Sequence, residues 1–142
     1  MYKDEIVAAL PESHRLARET VPLGALVHEK FILYQREGWP GLFDTIIGLC
    51  RKAGFSPQIT NSALIQTVLT LVSAGEGVSL VPASVRHYRP QGVVFRSLKP
   101  EGPHVNLVMA WRSENESTAQ TAFLDVVRAS KPEILRAIHA SF

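Results

Sequence analysis

With one cysteine in 142 residues, the chain has no partner for a disulfide, which excludes a small scaffold held by cross-links. Cys50 falls on the apolar side of an expected helix and reads as core in a reducing compartment. Long apolar runs are missing too. No stretch approaches the roughly 20 apolar residues of a membrane span, and the charged opening Met1-Tyr-Lys-Asp-Glu5 leads only into the short run Ile6 to Leu10, unlike a secretion signal. A soluble, cytoplasmic protein is expected. Nor does either sign of charge dominate: 15 Lys and Arg against 13 Asp and Glu give +2, too even for a dedicated nucleic-acid-binding domain despite a pI of 8.9. The densest basic group, Arg86, His87, Arg89, Arg96 and Lys99 around Tyr88, reads as a solvated face.

Catalytic signatures are lacking as well. There is no Gly-x-Ser-x-Gly elbow, and Ser84, after Pro82-Ala83, is simplest as a helix cap. His14, His28, His87, His104 and His139 stand apart, without the paired spacing of zinc sites. Glu12, Glu29, Glu37 and Glu76 form no recognisable acid and base pair. Neither an enzyme nor a metal or cofactor site is expected.

What the chain does have is a strand-and-helix grammar. At this length one or at most two small domains fit, able to bury roughly two-thirds of their unfolded surface. Residues 55 to 85 read as strand, helix and strand. Leu64, Ile65, Val68, Leu69 and Val72 recur at three- and four-residue steps, so one stripe of a helix faces a core. Gly75 ends it, because glycine takes the left-handed conformation after a helix without a Cβ clash. Val78 to Val81 is short and rich in β-branched residues, as in a central strand, and Pro82 removes a ladder donor and stops it.

The preceding segment repeats the plan. Phe31 to Tyr34 is a strand, Gln35 to Trp39 a loop, and Pro40 sits where a first helical residue is favoured. Phe43, Ile46, Ile47 and Cys50 mark the helix face, with Asp44 in the first turn, Arg51 and Lys52 in the last, and Gly54 as terminator. Right-handed crossovers then bring both strand-to-helix loops to one edge of a parallel sheet. That edge carries Gln35, Arg36, Trp39, Pro40 and Gly41 from one loop and Thr60, Asn61, Ser62 and Ala63 from the other. Two helix N-termini aimed into one space favour a carboxylate or other anion. Asn61 and Ser62 also suit the plainer role of capping the second helix.

The runs Leu10-Pro-Glu-Ser-His-Arg-Leu-Ala17, Phe31-Ile-Leu33, Arg51-Lys-Ala-Gly-Phe-Ser-Pro57 and Gln66-Thr-Val-Leu-Thr-Leu-Val-Ser-Ala-Gly-Glu-Gly-Val-Ser-Leu-Val-Pro-Ala-Ser-Val85 resemble the effector-binding domain of LysR-type transcriptional regulators, most nearly the branch that responds to aromatic-acid catabolites. The resemblance covers nearly the whole chain. It implies an α/β, periplasmic-binding-protein-like (type 2) fold: two subdomains joined by two crossing hinge strands, with a small inducer in the cleft between them. On that plan residues 1–10 are the crossing strand and 11–104 a complete Rossmann-like second subdomain. Residues 105–142 are the return strand, Val105 to Trp111, and the C-terminal part of the first subdomain. Helices are expected at 117–130, capped by Ser117, and at 132–141, with Pro132 separating them.

The sequence departs from the family in having no helix-turn-helix, no linker helix and no first half of the effector domain. A truncated sensor is therefore expected, reaching DNA only through the absent N-terminal domain and binding its inducer weakly or not at all. Its uncovered apolar faces point to a homodimer or an exchanged pairing of terminal elements, with a tetramer in reach of the full-length regulator. By resemblance, the cleft in this half is lined by Gln35, Arg36, Trp39, Pro40, Gly41 and Leu42, and by Asn61 and Ser62. Arg36 can pair a carboxylate bidentately, and Trp39 and Leu42 can pack an aromatic ring. Equally open are a solvated Arg36 and a Trp39 that covers a strand edge. A stand-alone solute-binding protein of the periplasmic-binding type is the alternative, since fold does not dictate function; the missing signal peptide weighs against it.

Overall fold

The computed structural model describes residues 2–115 and 117–139. In chain order the strands and α-helices are β1 (Tyr2–Pro11), β2 (Val21–Pro22), β3 (Lys30–Tyr34), α1 (Pro40–Lys52), β4 (Gln58–Ala63), α2 (Ile65–Ser73), β5 (Ser79–Pro82), β6 (Val93–Lys99), β7 (His104–Leu107) and α3 (Thr118–His139). Short 3-10 helices at Leu23–Leu26, Ala83–Tyr88 and Ser113–Asn115 complete them. The chain divides into two compact units: Asp4–Val105 is one, and residues up to Lys3 with those from Asn106 on are the other. It passes from one to the other twice, within β1 and within β7.

The larger unit is built on a β2-β6-β1-β5 sheet in which β1 runs antiparallel to both β5 and β6, and β7 pairs β1 as well. The expected β3-α1-β4-α2-β5 order is present, with β3 and β4 parallel. Val78, just ahead of β5, bridges Phe31 of β3 in the parallel sense. Its carbonyl accepts from the Ile32 N–H at 2.9 Å and its N–H donates to the Lys30 carbonyl at 2.8 Å.

Alternation along the strands sorts side chains between two faces. Ile6, Ala8 and Leu10 of β1, Phe31 and Leu33 of β3, and Leu80 of β5 join Leu42, Ile46 and Cys50 of α1 in one core. Val7, Ala9 and Val81 meet Leu69 of α2, and Ile32 meets Val68 and Val72 of α2. The two helices therefore cover opposite faces, as right-handed crossovers running first outward and then back across a sheet require. Both helices stop the same way. Gly54 (φ 91°) and Gly75 (φ 79°) are left-handed, with Gly54 N–H bonded to Arg51 and Phe55 N–H to Cys50, and Gly75 N–H to Val72 and Glu76 N–H to Leu71. These are two Schellman closures, each made possible by the missing Cβ.

Several expectations need correction. Asn61 and Ser62 are not at the start of a helix: β4 continues through Ala63, because parallel pairing with Ile32, Leu33 and Tyr34 holds them in the strand, and α2 begins at Ile65. Asp44 lies beyond the first turn of α1. Ser84 caps nothing; its own N–H is held by the buried Asp4 carboxylate at 3.1 Å. Arg86, in the expected solvated face, is half-buried, and desolvation lowers its pKa while Glu5 works the other way. The return strand ends at Leu107 rather than Trp111.

Nor does Pro132 divide two helices. It sits inside α3, which runs on to His139, since one missing N–H and one displaced carbonyl need not end a helix that continues on both sides. Residues 140 and 141 of the expected second helix lie outside the described residues. The Ser117 cap is present, its hydroxyl accepting the Gln120 N–H at 3.1 Å. Among the described residues no helix is long and apolar enough to cross a membrane.

Candidate functional site

The C-terminal ends of β3 and β4 form one rim. Tyr34 pairs Ala63, and the ladder extends one step further with the Gln35 N–H donating to the Ala63 carbonyl at 3.2 Å. The chain then turns: the Gln35 carbonyl accepts from Gly38 at 3.1 Å and from Trp39 at 3.3 Å. Pro40 is the first residue of α1, as expected, with Trp39 at the N-cap and no side-chain cap bond. α2 begins beside the same rim, with Leu64 at its N-cap and again no side-chain cap bond. The first-turn N–H groups of Gly41, Leu42, Gln66 and Thr67 thus lack the side-chain acceptor that usually meets such donors.

Of the residues expected here, Gln35, Arg36, Trp39, Pro40, Gly41, Asn61 and Ser62 are exposed. Arg36 is not free: its Nε and a terminal nitrogen each donate to the Asp44 carboxylate at 3.1 Å, a bidentate pair across the turn. Hydrogen bonding to Asp44, and then its charge, raise the Arg36 pKa. A carboxylate ligand must share Arg36 with Asp44 or displace it. Trp39 stands edge-on to Tyr34, ring centroids 6.4 Å apart and planes at 89°, and keeps 40% of its surface exposed. Leu42 differs from expectation. It is 2% exposed and belongs to the core under α1, so its side chain does not face the rim.

Asn61 and Ser62 are neighbours in a strand, so their side chains point to opposite faces of the sheet rather than converging. The pairing register slips between Phe31 and Ile32, leaving Thr60 as an extra residue. Such a bulge re-aims the residues that follow it. Gly41 has no atom within 4 Å of where a Cβ would stand, and its carbonyl accepts the Thr45 hydroxyl at 2.7 Å. Two polar contacts elsewhere have no signature in the sequence: the Asp4 carboxylate on Ser84, and His14. The His14 Nδ1 accepts the Leu16 N–H at 3.1 Å, which leaves Nε2 to donate to Glu29 at 3.0 Å. His14 is thereby a brace between β1's exit turn and the approach to β3. Among the described residues no group of three or more His, Cys, Asp or Glu could hold a metal ion.

A sheet covered on both faces, with two helix starts at one rim of its parallel strands, is an α/β arrangement, and the solved structures it resembles are LysR effector-binding domains, of the type 2 periplasmic-binding-like class. The chain belongs to the LysR substrate binding domain family, whose model matches residues 1–132. HTH-type transcriptional regulator AlsR of Bacillus subtilis is 33% identical over 84% of this chain and 40% of its own length. HTH-type transcriptional regulator TfdS of Cupriavidus pinatubonensis is 34% identical over 92% of this chain and 44% of its own. The BenM effector binding domain, solved with its effector benzoate, superposes with a TM-score of 0.68 at 26% identity, over 93% of this chain and 62% of that one. The chain therefore spans about two-fifths of the length of these curated regulators.

Proposed function

We propose that this chain is the sensing part of a cytoplasmic LysR-type regulator and holds a small carboxylate inducer, aromatic ones included, at the β3–β4 rim. The observation that carries the reading is the meeting of two helix N-termini without side-chain caps beside the Gln35 to Ala63 hydrogen bond. Each offers N–H donors and the positive end of a helix dipole, which together favour an anion. Gln35 and Arg36 supply further donors, Trp39 an aromatic face, Pro40 and Gly41 the close approach of backbone at the start of α1, and Asn61 and Ser62 polar groups on the neighbouring strand. Leu42 acts from beneath by fixing α1.

The benzoate held by the structural neighbour is an anion with an apolar ring, and its chemistry matches a rim that combines N–H donors with an indole. An inducer shifts a regulator only as far as it binds one arrangement better than another. DNA contact in this reading belongs to a separate N-terminal domain, and the regulator works as a homo-oligomer, with a homodimer as the smallest assembly of this chain and a tetramer for the full-length protein. The test is a reporter driven by the intact regulator. Gln35→Ala combined with Arg36→Ala is expected to abolish the response to carboxylate inducers while operator binding persists. Unchanged induction overturns the assignment.

A further inference from the structure

β1 leaves the larger unit at Asp4, and that residue is an exception within the strand. Ile6 to Leu10 are apolar and fully buried, whereas Asp4 is a carboxylate only 7% exposed. A charge this deep needs its oxygens met. The Ser84 N–H donates to one of them at 3.1 Å and reaches the other at 3.4 Å. The sheet sets this meeting. β1 and β5 pair as far as Ile6 and Pro82, and two residues further the same register would put Asp4 opposite Ser84. The chain instead turns at Ala83 into a 3-10 helix, so a side chain carries the tie in place of the ladder. Other charges gather at this exit. Arg86, half-buried in the same 3-10 helix, has both Glu5 and Asp4 acting on its charge. Glu5 is acted on by Glu101 and His104, which lie 3.7 Å apart just ahead of the second exit, after Val105.

We propose that the Asp4 carboxylate is a clamp that fixes where β1 stops belonging to the larger unit, and that it thereby sets how strongly an inducer at the rim acts on the rest of the regulator. The clamp and the rim share one edge. Val78 bridges Phe31 in the parallel sense, so Ser84, just past the C-terminal end of β5, emerges on the edge where β3 runs into Gln35. Asp4 is a positioning residue: it holds the exit of β1 and touches no ligand. Without it the pairing of β1 with β5 ends at Ile6, and Asp4 and Glu5 lose their tie on that side. The coupling rests on the inducer reading proposed above; the clamp itself does not.

Residue-resolved hydrogen exchange of the full chain reads the clamp without ligand. In Asp4→Ala the Ser84 amide is expected to exchange about 10- to 100-fold faster, the range carried by a hydrogen bond to a charged group, while Ile6 to Leu10 keep their protection. Asp4→Asn retains an acceptor oxygen without the charge and should fall between the two; if Asp4→Ala does not fold, Asp4→Asn is judged by the same readouts. In the intact regulator, Asp4→Ala is expected to cut the ratio of benzoate-induced to basal reporter output about fivefold or more, the lower end of typical allosteric coupling. Titration should still show benzoate bound, unlike the Gln35→Ala, Arg36→Ala pair. A Ser84 amide that keeps its wild-type rate overturns the clamp. Exchange that speeds up equally along Ile6 to Leu10 overturns it too, since Asp4 then only stabilises the unit as a whole. Local release with an unchanged reporter response overturns the coupling. A wild type with no benzoate response counts against the inducer reading and removes the coupling with it, while the exchange rates still decide the clamp.

Discussion

Gly77→Ala should loosen the sheet where β3 and β4 join the rest of it. A Cβ at Gly77 would overlap the Lys30 carbonyl oxygen, a backbone atom that cannot swing aside as a side-chain tip can. That same oxygen accepts the Val78 N–H at 2.8 Å, and its neighbour Ile32 donates to the Val78 carbonyl at 2.9 Å. Both bonds are flanked by buried residues, Phe31 at 0% and Val78 at 1% exposure. Losing them removes about 1 kcal/mol each and strands desolvated backbone groups, for a total of about 3 kcal/mol. For a unit of this size that corresponds to a fall in Tm of roughly 10 °C or more. Urea unfolding followed by far-UV circular dichroism gives the free energy, and a thermal scan gives Tm. Gly41→Ala is the control, since its Cβ would meet no atom within 4 Å; it should stay within about 0.5 kcal/mol of wild type. If Gly77→Ala melts within about 2 °C of wild type, the Val78 bridge is not what joins these strands.

Asp44→Asn frees Arg36 from its bidentate partner and is expected to tighten carboxylate binding at the rim; isothermal titration of the intact regulator with a benzoate series checks it, and weaker binding counts against Arg36 as a ligand. Leu42→Ala truncates a core side chain and should cost about 2–5 kcal/mol in chemical denaturation, whereas a Leu42 facing the rim would cost far less. Burial pushes the Cys50 thiol up from 9.0 to about 11. The folded state keeps its proton longer than the unfolded one, so this contribution is complete below pH 9 and is lost as pH rises to about 11, amounting to up to about 3 kcal/mol. Stability measured from pH 8 to 11 should therefore fall more steeply for wild type than for Cys50→Ala, and a thiol reagent at pH 8 should modify Cys50 only after unfolding.

Features fixed by a short stretch of backbone were legible in the sequence. Gly54 and Gly75 closing α1 and α2, Pro40 opening α1, Pro82 ending β5 and Ser117 capping α3 each depend on two to four residues. Features decided by a distant partner were not. How far β4 runs depends on the length of β3 beside it, so the polar string Thr60-Asn61-Ser62, which reads locally as a cap, is strand. Leu42 and Trp39 are both apolar residues of one turn, and only the placement of α1 over the sheet sends the first into the core and leaves the second at the surface. Arg36 and Asp44, eight positions apart, meet because the turn folds back over the start of α1. For Val105 to Trp111, alternation predicted a strand throughout, but apolar alternation does not supply the ladder partner that a strand past Leu107 needs.

The strand that leads into Gln35 reaches β1 through the Phe31–Val78 bridge and β5, two strand spacings or about 10 Å in all. A push on the turn where an inducer would rest has a short mechanical route, with one pair of backbone bonds as its narrowest point. β1 is also a strand by which the polypeptide leaves this unit. Stiffness at Val78, more than contact strength at the turn itself, would then set how much of that push is delivered onward.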